Sequence, residues 1–294
     1  MPPRLPKPRL PDTCSGDRSD APVFEPVAAK NPLVANLRRL SRRRSARVEQ
    51  GQFLVEGPTL IGVALDAGVA VEILVHDGSV ALDPSTMSLA ERAATTGARL
   101  LEVPEGVMAR ITDTVTPQPL AAVVNRSPTT LDALLSDGAP SLPVLVLVGV
   151  SDPGNAGTLL RSAEAAGVSA VVFCAGSVDP FNPKTVRSSA GSIFQVPVVD
   201  GVPASIALEM LGAAGVRRMG TVARSGVPLE QAGLSGPLAL VLGSEAHGLP
   251  DDLSAGLDEL VTIPMAGRAE SLNVAMAGTL VVFEAARQRR ARLR

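Results

Sequence analysis

The sequence predicts an α/β fold in two units. Short apolar runs alternate with helical patterns along most of the chain, the mark of strands joined by helical crossovers. Val144–Val148 is an unbroken β-favouring run, as in a strand buried on both faces of a parallel sheet. Between the two series lies a break with Pro128, Pro140, Pro143 and the turn pair Asp137-Gly138, which sets a boundary. A chain of 294 residues is long enough for two domains.

Residues 1–29 are rich in Pro, Ser and Asp and are expected to be disordered or loosely attached. The front domain is expected over 30–125. It begins with an Arg-rich helix from Pro32 to about Val48. Strands follow at Phe53–Glu56, Val71–Val75, Arg99–Glu102 and Leu120–Val124, with helices at Thr59–Ala67, Ser85–Thr95 and Pro104–Ile111. Residues 126–142 form the expected linker. The second domain, 143–294, has further strands at Ala170–Phe173, Gln195–Val199, Arg218–Val222, Leu238–Leu242 and Leu260–Ile263. Its last helix runs from Ser271 to about Arg290. From Leu272 to Ala286 only Asn273, Thr279 and Glu284 interrupt the apolar surface. A helix without a polar face is covered on every side, so a second subunit is expected over it.

Composition narrows the function classes. The net charge is -2, so any nucleic-acid surface must be local. With six Phe and no Tyr or Trp, base-stacking platforms are not expected. Cys14 and Cys174 lack metal-ligand spacing, which fits free thiols in a reducing cytoplasm and no metal site. No apolar run reaches the ~20 residues that span a bilayer. The expectation is a cytoplasmic protein without a membrane segment.

Three polar, glycine-bearing segments each follow a predicted strand. They are Asp152-Pro153-Gly154-Asn155-Ala156-Gly157, leading to Arg161; Leu242-Gly243-Ser244-Glu245-Ala246-His247-Gly248-Leu249; and Ile263-Pro264-Met265, then Gly267 and Ser271-Leu272-Asn273-Val274-Ala275. Ligands of open α/β sheets bind beyond the carboxyl ends of strands, so the three loops point to one pocket. The first loop alone is ambiguous. Gly149, Gly154 and Gly157 could form a dinucleotide turn, or Asn155 could be only a helix cap. The G-x-G-x-x-G pattern is missing, and no acidic residue closes the next strand, which ends at Cys174.

Together the three segments resemble the signature motifs of the SpoU/TrmH family, the SPOUT RNA 2′-O-ribose methyltransferases, in order and spacing. Asn182–Gly191 looks like a fourth family segment. More weakly, Gly51-x-Phe53-Leu-Val-Glu56-Gly57 is similar to the start of the family's L30e-like RNA-binding domain. The resemblance implies a C-terminal α/β-knot domain with a deep trefoil knot, an N-terminal L30e-like substrate domain, and a homodimer whose interface completes the site. It implies S-adenosyl-L-methionine as cofactor, held by Gly243, Ile263 and Leu272 with Leu242, Met265 and Asn273 beside them. The implied catalytic residues are Asn155, Arg161, Glu245 and Ser271.

These residue types suit the chemistry. A ribose hydroxyl must be aligned with the methyl donor and eased toward deprotonation. A guanidinium with pKa above ~12 is a poor base, so Arg161 is expected to orient phosphate and stabilise negative charge on oxygen. Asn155 and Ser271 can donate and accept, though Ser271 could simply cap the last helix. Glu245 could hold Arg161 or a hydroxyl. His247 is read as a bystander, and His76 has no assigned role.

Arg38, Arg39, Arg42, Arg43 and Arg47 fall on one half of a single helical wheel, opposite Leu33, Val34, Leu37, Leu40 and Val48. They are expected to meet RNA phosphates, with the tail residues Arg287, Arg289, Arg290, Arg292 and Arg294 adding to them. Structured rRNA is the expected substrate and tRNA the alternative, with no role on DNA. A catalytically silent RNA-binding paralogue and a nicotinamide-dependent oxidoreductase are the competing readings. The halves are expected to separate, so that 139–294 alone folds, dimerises and binds cofactor.

Overall fold

The computed structural model describes residues 22–112 and 114–292. Most of the expected tail, with Cys14, lies outside them, as does Arg294. Residues 22–29 do not hang loose: β1 (Glu25–Pro26) adds to the front sheet, and Val27 is buried.

The front domain continues with α1 (Pro32–Arg42), α2 (Arg44–Gln50), β2 (Gln52–Glu56), α3 (Pro58–Asp66), β3 (Val71–Asp77), α4 (Pro84–Thr95), β4 (Arg99–Val103), α5 (Val107–Thr112) and β5 (Leu120–Asn125). Its strands form one mixed sheet in the order β1-β4-β3-β5-β2. Alternate strand residues serve opposite faces. Leu54, Val75 and Val123 pack with Leu37 and Leu40 of α1 and Met108 of α5. Phe53, Leu74 and Val124 pack with Ile61 of α3 and Ala90 of α4.

The expected single Arg-rich helix is two. Arg43 is extended (φ -119, ψ 118), ending α1 and starting α2. The break resets the helical phase, so Arg47 turns inward and Val48 outward. The wheel drawn for one continuous helix therefore fails beyond Arg43.

The expected linker is structured. Arg126 N donates to Gly51 O, Thr129 N donates to Val198 O, and α6 (Leu131–Leu135) buries Leu131. The second domain then runs β6 (Val144–Leu147), α7 (Pro153–Ala166), β7 (Ala170–Cys174), α8 (Pro183–Ser188), β8 (Val198–Val202), α9 (Ala204–Ala213), β9 (Arg217–Val222), β10 (Val227–Pro228), β11 (Leu238–Leu242), α10 (Asp251–Ala255), β12 (Glu259–Thr262) and α11 (Val274–Arg292). The strand expected from Gln195 starts only at Val198. Gly191 (φ 98) turns the chain into a short 3₁₀ segment, Ser192–Phe194, capped by Gln195.

All pairings in the second sheet are parallel, in the order β10-β12-β9-β11-β6-β7-β8. Leu145 and Leu147 face α7 and α11, while Val144 and Val146 face α6 and α9. The order reverses beside β6: β7 and β8 lie to one side, and β11 and β9 to the other. This switch point is where an open sheet leaves a crevice at its carboxyl edge. Cys174, buried on β7, has its thiol pushed up to about 12 by burial and is unreactive.

Candidate active site

Helix α7 starts immediately after the first loop. Asp152 is its N-cap, accepting from Asn155 N at 2.8 Å, and Pro153 fits the first turn. The Asn155 side chain is therefore not a cap. Its Nδ2 donates to Glu245 Oε1 at 2.9 Å, and its Oδ1 accepts from Asn273 Nδ2 at 3.0 Å. One side chain from each loop thus meets at Asn155.

Glu245 does more than orient Asn155. Its Oε2 accepts from Ser151 N (3.1 Å) and Ser151 Oγ (3.3 Å), and its Oε1 also accepts from Asp152 N (3.3 Å). Partial burial pushes this carboxyl up. The hydrogen bonds, led by that from Asn155, outweigh it, so the acid is held below its ordinary value. Asn273 caps α11, with Oδ1 accepting from Ala275 N at 2.9 Å. Ser271, the expected alternative cap, is exposed and makes no hydrogen bond among the described residues.

The second loop folds on itself through reciprocal bonds between Ser244 and Gly248 (3.0 and 2.9 Å). A Cβ on Gly243 would fall on the Gly248 peptide, so only glycine permits this closure. Beside it opens a cavity of about 560 Å³. Leu242, Gly243, Ile263, Met265, Leu272 and Asn273 all line it, with Glu245, His247 and Ser271 at the polar side. Sequence reasoning missed Thr221 and Val222, which line it from the end of β9. The only available signal was that β9 ends on the same sheet edge. A cleft of about 510 Å³ beside Val27 and Glu102 contains none of the loop residues.

Arg161 is not drawn into the Asn155–Glu245–Asn273 cluster. Six residues beyond Asn155 is about 9 Å of helix rise and a different face. Arg161 is exposed, with no ion pair among the described residues. Within one chain Glu245 is engaged by Asn155 and the first loop, and it makes no bond to Arg161.

Of the basic cluster, Arg39, Arg42 and Arg43 are exposed and Arg38 is half-buried. Arg47 must be removed from the RNA-contact set. It is 2% exposed; its Nε and Nη2 grip Asp179 Oδ2 at 2.7 and 2.6 Å, and its Nη1 donates to the carbonyls of Leu40 and Ser41. In the tail, Arg289 donates to Ala166 O and Gly167 O, the exposed carbonyl end of α7. Arg287 pairs with Glu284 at 2.7 Å.

Comparison with known proteins gives the geometry a family. The profile of the SpoU rRNA Methylase family matches residues 143–283, and that of the MRM3-like substrate binding domain matches 31–122. The chain is 36% identical over 258 residues to the 23S rRNA (guanosine(2553)-2′-O)-methyltransferase RlmP of Bacillus subtilis, covering 87% of this chain and 96% of that one. The chain belongs to the SpoU rRNA methylase family. The 23S rRNA (uridine(2479)-2′-O)-methyltransferase of Streptomyces viridochromogenes is 30% identical, with 93% of this chain and 95% of that one covered. The crystal structure of the AdoMet-bound rRNA methyltransferase from Sinorhizobium meliloti superposes with TM-score 0.79 at 32% identity, over 90% and 98% of the two chains.

S-adenosylmethionine is the cofactor of this family, and the SpoU cavity suits it. Its volume falls in the range of ~300–1,000 Å³ typical of small-molecule sites. Leu242, Ile263 and Leu272 provide apolar walls, and Leu272 is left 39% exposed at the cavity. Ser271, Thr221 and the backbone of the 243–248 loop provide polar groups. Among the described residues no helix is long and apolar enough to cross a membrane.

Proposed function

We propose that this SpoU methylase transfers a methyl group to a ribose 2′-hydroxyl of ribosomal RNA. The observation that carries this reading is the convergence of Glu245 and Asn273 on Asn155 at the rim of the cavity. That convergence fixes a polar side chain beside the space where the methyl donor fits. When bound there, S-adenosylmethionine supplies an electrophilic methyl carbon on a sulfonium.

The chain's own residues do the rest. Glu245 and Asn273 fix both ends of the Asn155 amide, leaving its second N–H to contact the ribose. Ser271 offers a free hydroxyl at the same rim. Arg161 binds the neighbouring phosphate and stabilises negative charge developing on the attacking oxygen.

Arg161 reaches that position from a second copy of the chain, in a homodimer closed over α11. Met276, Leu280 and Phe283 recur on one exposed stripe of α11, 58%, 46% and 41% exposed. The helix that carries Arg161 packs beside α11: Ser162, the next residue, bonds Thr279 at 2.7 Å. Arg39, Arg42 and Arg43 are the phosphate contacts of the front domain. In this reading the last segment follows the knotted path of the family.

The test is transfer of tritiated methyl from S-adenosylmethionine to unmodified 23S rRNA, 16S rRNA and tRNA transcripts. Protected 2′-O positions are then mapped by resistance to alkaline hydrolysis. Label only on tRNA would replace the rRNA assignment. No label on any transcript, with cofactor bound, would favour the silent paralogue.

A further inference from the structure

We infer that α8 couples the front domain to the catalytic turn of α7, with Glu56 and Arg187 as its positioning pair. The inference rests on the methyl-transfer reading above.

The front domain grips α8 at both ends. At its start, Arg47 of α2 pairs with Asp179, which organises the turn into the helix. Asp179 Oδ1 accepts from Phe181 N at 2.9 Å, and its carbonyl accepts from Asn182 N at 3.0 Å and Thr185 Oγ1 at 3.3 Å. At its end, Arg187 Nη1 donates to Glu56 Oε2 at 2.9 Å. The Glu56 side chain is 4% exposed and its other oxygen is also used: Oε1 accepts from Thr114 Oγ1 and Gln118 N, both at 3.1 Å. Glu56 therefore joins α8 to the front-domain loop before β5. That loop carries Val115, which is completely exposed.

The other side of α8 is tight against α7. Ser188 Oγ lies 2.9 Å from Pro153 O, in the turn that carries Asn155, and shares its one proton between that carbonyl and Lys184 O at 2.8 Å within α8. A Cβ on Gly157 would lie 2.7 Å from the Ser188 carbonyl carbon and closer still to its side chain, so there is no slack between the helices. A shift at the 114–118 loop passes through Glu56, Arg187 and Ser188 to Pro153 and Asn155. RNA held by the front domain thereby sets the alignment of the catalytic turn, not only its own affinity.

Glu56 is the informative position, because a buried carboxylate has no RNA contact to lose. The experiment uses the full chain with Glu56→Gln, Arg187→Gln and both together. It measures single-turnover methyl transfer to a 23S rRNA transcript at saturating enzyme and S-adenosylmethionine. Cofactor and RNA affinity, the thermal midpoint and amide exchange of α7 are read alongside.

Each single variant should slow transfer about tenfold, within the ~10²-fold that a 1 Å misplacement costs. The double variant should be no slower than either single, because the two residues form one link. Cofactor affinity should stay within about twofold, and amide exchange should rise at 153–157 but not in the 243–248 loop. Arg187→Lys, which can still reach Glu56, should recover part of the rate.

Variants with wild-type rate and wild-type exchange at 153–157 would overturn the coupling, as would losses wholly explained by weaker RNA binding. A wild-type chain that methylates no rRNA would instead overturn the functional reading, and the exchange measurement would still decide the coupling.

Discussion

Asn155 Nδ2 donates to Glu245 Oε1 at 2.9 Å across 90 residues of sequence, tying the first loop to the second. Burial raises the Glu245 carboxyl and its hydrogen bonds lower it further, for a net value below the ordinary 4.5. An acid whose folded pKa is depressed stabilises the fold above its unfolded pKa and loses that contribution as pH falls through the folded value. The stability difference between the wild-type chain and Glu245→Gln, followed by denaturant unfolding, should thus be flat from neutral pH down to about 5, above the range where Glu245 protonates. A fall already at pH 6 would mean that another group holds the loops together.

Glu245→Gln tests the same residue without changing its shape. The amide has one accepting oxygen where the carboxylate has two, and its NH₂ faces the donors of Ser151, Asp152 or Asn155. Asn155 should lose its fixed orientation and methyl transfer should fall by about 10–100-fold, the cost of poor alignment. Cofactor affinity should change only a few-fold, because the apolar walls remain. Equal losses in affinity and rate would make Glu245 a cofactor residue.

Arg161→Lys separates charge from geometry. Lysine keeps the positive charge but loses the planar fork of donors. Single-turnover transfer should fall about 10²-fold or more, the scale for losing a transition-state donor, while cofactor affinity is unchanged, since Arg161 does not line the cavity. RNA affinity should weaken far less than turnover. Near wild-type transfer would remove Arg161 from the chemistry.

Most strands and the cavity were legible for physical reasons. Strand residues declare themselves by local pattern, and the glycine-bearing loops by their place after strands. The failures were tertiary. Nothing in Pro32–Val48 signals that Arg43 is extended, because the compensation comes from Asp179, 132 residues from Arg47. The supposed linker is held by bonds to Gly51 and Val198 that composition does not reveal. Thr221 is an ordinary strand residue until the sheet order brings the end of β9 to the cavity.

The apolar stripe of α11 gives a direct test of assembly. Leu280→Glu places a charge in the centre of the surface that a second copy would cover. Light scattering at micromolar concentration should report a dimer for the wild-type chain and a monomer for the variant. The monomer should keep its fold, because Leu280 is already 46% exposed in the single chain. A variant that remains dimeric would place the interface elsewhere.

Arg47 gives the last prediction, and it revises what truncation should do. In Arg47→Leu the Asp179 side chain, 5% exposed, keeps its charge and loses its partner. Breaking one side of a buried pair costs about 3–5 kcal/mol, so denaturant unfolding should show a loss of that size. Adding Asp179→Leu should recover most of it, because an apolar pair needs no desolvated charge. The same reasoning applies to the second clamp, where Asp200 accepts from Arg44 at 2.7 Å and from Arg126 at 3.0 Å. Arg126 also stacks over Phe181, 4.3 Å from its ring centre, and Phe181 packs on Phe53 of the front domain. A chain cut to 139–294 leaves Asp179 and Asp200 without these partners and uncovers Phe181. It should therefore unfold at a lower denaturant concentration than the full chain, with a broadened transition, rather than behave as an independent domain. A truncated half as stable as the full chain would show that the ion pairs between the domains contribute little to stability.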